Sequence, residues 1–260
     1  MTWEPAFAKE LEWILADTLK RHFTGENFDR EAATIRCVTK GLVQKDFLGN
    51  LKLQKRFEGT EDNQILEIIR QDVLQGGYAL IHYEGFEDYT PGDNVLHLFA
   101  MGALGAEAIK ASRELREKGI YANVFIVTSP DLLLGNFAFN DQFTHLTKGL
   151  GVSGDLHLNP TKGHTIESAG QWYSLQAARV PILSVHDGEP GLLDNIGSIV
   201  GVKHRTQAIR KTSKSGTTTD IFHYHHIDSE GIVAAAEEIL KETAAEVFRV
   251  NPAVLSTINT

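Results

Sequence analysis

The residues best suited to chemistry in this chain are its histidines, eleven in 260 positions, with His223, His225 and His226 falling in one short stretch. An imidazole can carry a proton near neutral pH or ligate a metal. A helix turns roughly 100° per residue, so these three side chains point in different directions. No Cys or carboxylate stands at the spacing of a closed zinc site. The stretch therefore reads as a polar helix end whose histidines can orient a substrate. A second group is basic: Lys203, His204, Arg205, Arg210, Lys211 and Lys214. Such a run is most often a solvated or ion-paired face, the alternative being a surface for an anionic ligand or an acidic partner. A third is Gly102-x-x-Gly105, which follows an apolar run and opens a helical pattern. A dinucleotide fingerprint needs G-x-G-x-x-G and an acidic residue closing the second strand. Here the glycine spacing differs and that strand ends Val127-Thr128-Ser129, which leaves a tight strand–helix turn. There is no G-x-S-x-G nucleophile elbow and no Walker loop.

The stretch that must position these groups is residues 94–130. Val95 to Met101 is an unbroken apolar run, suited to a strand buried on both faces. Leu104, Ala108, Ala111 and Leu115 then make one apolar helical stripe, and Gly119 is placed to end it in a left-handed conformation. A second apolar run, Tyr121 to Val127, follows. Strand, helix and strand in so short a space predict a βαβ crossover and a parallel sheet.

Elsewhere, Pro5 is placed to open a helix to about Phe23. Residues 33–39 read as a strand, 40–61 as a loop carrying Gly41, Gly49 and Gly59, 61–74 as a helix and 78–83 as a strand. Acidic residues 84–93 read as a linker, which divides the chain into an N-terminal α/β segment, residues 1–88, and a C-terminal domain, 89–260. A long irregular excursion is expected over 131–179. Val180 to Val185 is the next strand, with Pro181 marking an edge or a strand start. Residues 196–202 fit strand or helix. Thr217 to Asp220 supply several possible caps for a short helix ending near His226, and a last helix, capped by Asp228-Ser229, is expected to about Phe248.

The formal charge of −9 argues against nucleic acid as a partner. No apolar run reaches the roughly 20 residues that span a bilayer, so no membrane role is expected. One cysteine, Cys37, fits a reducing compartment, and a cytoplasmic location is expected.

The order of elements resembles the C-terminal region of the thiamine diphosphate-dependent transketolase and homodimeric pyruvate dehydrogenase E1 family. The block from Val95 to Pro130 has the form V-x-x-x-F-x-x-G-x-x-x-x-E-A and closes on V-T-S-P. Arg179-Val-Pro-Ile-Leu-Ser-Val-His-Asp-Gly188 looks like the family's third strand. Ser213-Lys-Ser-Gly216, Asp220-Ile-Phe-His-Tyr224 and His226-Ile-Asp228 look like its F-G-x-S-G … D-L-Y-x-x-x-x-I-D signature. Pro5-Ala-Phe-Ala-Lys-Glu-Leu11 and Arg249-Val-Asn-Pro252 are similar to segments of the pyruvate dehydrogenase E1 component. The family's diphosphate-and-magnesium motif, G-D-G followed by Asn, is absent, since neither Gly92-Asp93 nor Gly154-Asp155 continues with the right residue. The glutamate that activates thiamine is absent as well.

What the resemblance implies is an α/β fold of three layers, its sheet mostly parallel with one antiparallel strand, plus an N-terminal α/β segment. It implies the C-terminal part, or subunit, of a 2-oxoacid dehydrogenase E1 or transketolase-like enzyme. In such an enzyme a 2-oxoacid is decarboxylated and its acyl group passed to a lipoyl carrier. The complete enzyme would use thiamine diphosphate and magnesium, with none bound by this chain alone. Partners would be the remaining thiamine diphosphate-binding domains, a second copy in a homodimer, and a lipoyl carrier protein. The position of an active-site histidine of the family falls at Tyr224, with His223 and His225 beside it, and these three are the expected catalytic residues. The alternative is a non-catalytic anion- or protein-binding module on the same fold.

Overall fold

The computed structural model describes residues 1–24, 32–38, 42–160, 173–243 and 246–250. Its elements in chain order are β1 (Thr2–Trp3), α1 (Ala8–Thr24), β2 (Thr34–Ile35), α2 (Lys45–Leu51), α3 (Asp62–Leu74), β3 (Gly77–Ile81), β4 (Val95–Met101), α4 (Gly105–Glu117), β5 (Tyr121–Val127), α5 (Pro130–Leu133), α6 (Asn136–Asn140), β6 (His157–Pro160), β7 (Tyr173–Ala178), β8 (Ile182–Val185), α7 (Ile196–Val200), β9 (His204–Gln207), α8 (Thr218–His225), α9 (Ser229–Glu242) and β10 (Glu246–Val250).

The two apolar runs lie side by side at the centre, parallel and in register from Val95 opposite Tyr121 to Met101 opposite Val127. Every residue of β4 is buried, as a strand covered on both faces requires. The sheet has the order β3-β5-β4-β8-β9. β8 joins β4 and β9 joins β8 in parallel, whereas β3 runs antiparallel to β5. The fold is thus mixed α/β, with a mostly parallel sheet and one antiparallel pair. On one face Leu96, Leu98, Val124 and Ile126 pack with Ala108, Ala111 and Leu115 of α4 and Ile232 and Ala236 of α9. On the other, Phe99, Phe125 and Val127 pack with Leu133, Leu146 and Ile196. Phe99 and Phe125 stack there at 4.8 Å between centroids. Each of the Val, Leu, Ile and Phe side chains contributes about 1.5–3 kcal/mol by its burial.

Trp3, Phe7 and Ile14 share the first core with Leu96, Leu98 and Ile232. The junction expected near residue 88 lies in the loop between β3 and β4, two strands of the same sheet. Among the described residues no helix is long and apolar enough to cross a membrane.

Several elements differ from expectation. The first helix begins at Ala8, three residues after Pro5, because the Glu10 carboxylate turns back to accept from the Ala6 and Phe7 amides at its start. The strand expected over 33–39 is reduced to the two residues of β2, with Thr39 outside the described residues. The loop expected over 40–61 holds α2, which buries Phe47 and Leu51 despite Gly49 within it. The irregular excursion of 131–179 carries α5, α6, β6 and β7, its residues 161–172 lying outside the described residues. Pro181 precedes β8, which is an interior strand, so of its two readings the strand start holds and the edge position does not. Residues 196–200 are helical, and Gly201, at φ +78°, ends that turn. The last helix stops at Glu242, and residues 246–250 pair antiparallel with β7 instead of continuing it.

Candidate functional site

The polar stretch at 217–230 is built by two helix ends meeting head to tail. Thr217 caps α8 through a capping box: its Oγ1 accepts from the Asp220 amide, and the Asp220 carboxylate accepts from the Thr217 amide, each at 3.3 Å. Phe222 and His225 face inward three residues apart. The helix closes on His226, which takes the left-handed conformation (φ +57°) that glycine usually supplies. The amide of His226 reaches the His223 carbonyl and that of Ile227 the Phe222 carbonyl, each at 3.0 Å, a Schellman closure that buries Ile227.

The next residue joins the two helices chemically. Asp228 Oδ1 accepts from the Gly231 amide at 3.0 Å and so caps α9. Its Oδ2 lies 2.8 Å from His223 Nδ1. This hydrogen bond and the charge of Asp228 raise the pKa of the exposed His223 above its ordinary value. The Ser229 amide donates to Glu107 Oε2 at 3.1 Å, which draws α4 to the same place. A cleft of about 640 Å³ results, lined by Glu107, Lys110, Asp220, His223, Tyr224 and Glu230 among others.

The three expected catalytic residues are therefore divided. His223 and Tyr224 line one cleft, while His225 turns inward, where its Nε2 meets Ser213 Oγ at 2.9 Å. Loss of solvent, with Lys211 and His226 adding to it, lowers the pKa of His225. Tyr224 lies under two ammonium groups, Lys211 at 3.7 Å and Lys214 at 4.7 Å from the ring centroid. A hydrogen-bonded carboxylate that orients an imidazole, as Asp228 does His223, is the pairing used for proton transfer at a surface-accessible atom. Ligand atoms of His223, Asp228 and Glu230 also lie within 4.8 Å of one another. They are the residues among those described that could approach a cation together, and the two carboxylates come from beyond the helix that carries the histidine.

Two residues of the basic run are engaged by the chain's own acids, while Lys211 and Lys214 lie over the Tyr224 ring. Lys203 Nζ lies 2.7 Å from Glu242, and Arg205 pairs with both Glu238 and Glu242. The ion-paired face holds for these two residues because β9, which sequence reasoning did not anticipate, lies alongside α9.

In open α/β sheets ligands settle at the carboxyl ends of strands where the winding reverses, here between β4 and β8. That crevice is filled by the N-terminal segment. The Glu4 amide donates to the Thr128 carbonyl at 2.8 Å, and Arg36 bridges Glu4 (3.0 Å) and Asp187 (2.6 Å). Burial raises the pKa of Glu4, with Arg36 opposing it. Gly102 sits beneath at φ +55°, where a Cβ would lie 3.2 Å from Glu4 Oε2.

No family model matches the sequence, and no curated protein does. Solved structures do. A transketolase variant from Pichia stipitis, in complex with fructose 6-phosphate, superposes with a TM-score of 0.53 at 16% identity, over 95% of this chain and 26% of that one. Transketolase from Leishmania mexicana gives 0.52 at 11% identity, over 98% of this chain and 27% of that one. The likeness is one of fold, and this chain spans about a quarter of the length of those transketolases.

Proposed function

We propose that this chain is the C-terminal part of a thiamine diphosphate-dependent enzyme of the transketolase or pyruvate dehydrogenase E1 type, supplying docking surface and residues at the rim of a site built elsewhere. The observation that carries this is the fold likeness of nearly the whole chain to one quarter of a transketolase. In this reading residues 1–88 correspond to the tail of a pyrimidine-binding domain and 89–260 to the C-terminal domain.

The residues present do not fit the cofactor. The diphosphate-and-magnesium motif is absent from the sequence, and the carboxylate cluster at Asp228 and Glu230 sits at an open helix end, with His223 and Glu230 both exposed. Thiamine diphosphate would be held by other domains. This chain would offer the exposed His223–Asp228 pair as a group that holds or moves a proton at the rim. Leu15, Leu19 and Phe23 form one exposed apolar stripe on α1, with Leu19 at 48% and Phe23 at 76% exposure. A stripe of that kind supports docking against the remaining domains. The alternative of a binding module loses part of its proposed surface, because Lys203 and Arg205 are paired with carboxylates of α9.

Calorimetry of the purified chain with thiamine diphosphate and magnesium should show no binding, and tight binding would overturn this reading. Adding the protein segment that holds the diphosphate motif should give a co-eluting complex with ketol- or acyl-transfer activity. A ketose phosphate donor and pyruvate with a lipoyl acceptor distinguish the transketolase form from the dehydrogenase form.

A further inference from the structure

On the sheet face away from α4 lies a second cavity, about 530 Å³, within the range of small-molecule sites. The chain carries a formal charge of −9, yet this cavity is lined by Lys55, Arg56 and Lys148 against the single carboxylate of Glu84. Among the described residues none of the three cations makes an ion pair. Asp72 acts on Arg56 from outside the lining and offsets part of its charge. Burial keeps two histidines of the wall from adding charge, pushing His97 down to about 3 and lowering His82. Three cations of the lining thus face one carboxylate of the lining, and the excess is positive even with Asp72 behind Arg56.

The neutral groups of the wall are donors. The Tyr83 amide donates to Asn123 Oδ1 at 2.9 Å, which fixes the amide so that its Nδ2 donates to Tyr89 Oη at 2.9 Å and faces His97 Nδ1 at 3.4 Å. His97 Nδ1 is thereby the acceptor and Nε2 carries the proton. Tyr89, already accepting, has its own hydroxyl proton to give. Phe125 lies edge-on to His97 and His82 behind them, at 5.3 and 6.1 Å.

Two backbone features hold the cations where they are. Lys148 sits on a π-helical turn, His145–Gly149, a form concentrated at functional sites. That turn is pinned to β3 by His145 Nε2 at 2.7 Å from the Gly77 carbonyl, and Gln142 and Phe143 just before it both have φ near +57°. Lys55 lies across Gly85, where a Cβ would stand 2.6 Å from its Cδ. Four separated parts of the chain thus converge on one space with excess positive charge and unshared donors.

We propose that this cavity binds a phosphate monoester of a small polar molecule. The dianion neutralises the lysines and arginine, and oxygen acceptors on the rest of the ligand meet His97 and Tyr89. This does not depend on the enzyme reading above, and it would hold for the isolated chain.

Titration calorimetry of the full chain at low ionic strength tests it, with glycerol 3-phosphate, inorganic phosphate and glycerol as probes. Glycerol 3-phosphate should bind saturably at one site, more tightly than inorganic phosphate, and glycerol should give no heat. Arg56→Ala and Lys148→Ala should each weaken binding about tenfold or more. Lys203→Ala, on the paired face, should leave it unchanged. Lys148 is exposed, so its variant should fold as the parent does, which thermal melting checks. The absence of saturable binding at millimolar glycerol 3-phosphate would overturn the proposal. So would indifference to both cavity variants, and equal affinity for inorganic phosphate would overturn the assignment to an ester.

Discussion

The Tyr78 hydroxyl donates to Glu10 Oε1 at 2.5 Å, with the Glu10 and Tyr78 side chains wholly enclosed. The other carboxylate oxygen accepts from the Ala6 and Phe7 amides, at 2.5 and 3.1 Å, so one side chain ties the start of α1 to β3. The three hydrogen bonds favour the ionised carboxylate, but burial outweighs them and raises its pKa from 4.5 to about 7.

A pH dependence of stability follows. Between about pH 4.5 and 7 the folded chain holds a proton on Glu10 that the unfolded chain releases. The stabilisation is full below that window, is lost as pH rises through it, and amounts to at most roughly 3 kcal/mol. In Glu10→Gln the amide oxygen can still accept from the backbone and the amide nitrogen can donate to Tyr78. Urea melts should show the variant gaining on the parent as pH rises from 5 to 8; a pH-independent gap would contradict the protonation of Glu10.

His223 owes its raised pKa first to the hydrogen bond it donates to Asp228 and then to that residue's charge. Asp228→Asn keeps a cap for α9 and removes the charge, so the His223 titration followed by NMR should move down toward an ordinary histidine while melting changes little. Asp228→Ala should in addition cost about 1 kcal/mol through the lost cap. An unmoved His223 midpoint in the Asn variant would mean that the pair does not form in solution.

Arg205 joins Glu238 and Glu242 at the surface, with 29% of its side chain exposed. Exposed pairs contribute little, so Arg205→Ala should cost under about 1 kcal/mol, and less in high salt. Chemical denaturation at two ionic strengths checks this, and a larger, salt-independent loss would point to packing by the side chain instead.

The two glycines of the turn after β4 should respond differently. Gly102 has φ +55° and Glu4 close by, so Gly102→Ala should cost about 1–2 kcal/mol. Gly105 is helical at φ −53°, where a Cβ would meet Leu42 at 3.3 Å and Ile126 at 3.4 Å. In Gly105→Ala the helix preference of alanine offsets that crowding, and the net change should stay within about 1 kcal/mol. Similar losses at both positions, read from thermal melts, would refute the distinction.

Much of the central architecture was legible because local periodicity reports burial directly. The unbroken runs at 95–101 and 121–127 became adjacent parallel strands, and the stripe from Leu104 to Leu115 became the helix between them. Asp228 was readable as a cap from its type, whereas for α8 the types left Thr217 to Asp220 open and the structure selects Thr217. What escaped notice was short or misleading in composition. α2 contains a glycine and lies between polar residues, and β9 is hidden in a basic run. β10 follows a helix whose apolar pattern continues past its end.

By itself the sequence determined the strand–helix–strand centre, the cap of the last helix and the absence of a dinucleotide fingerprint, since each depends on residues a few positions apart. Only the tertiary structure decided that His223 and Tyr224 share a cleft that His225 leaves. It also decided that the acids of α9 neutralise Lys203 and Arg205. The same holds for the cavity that gathers Lys55, Glu84, His97 and Lys148. Such convergence depends on how distant elements pack across the sheet, and packing of that range leaves no period in the chain to read.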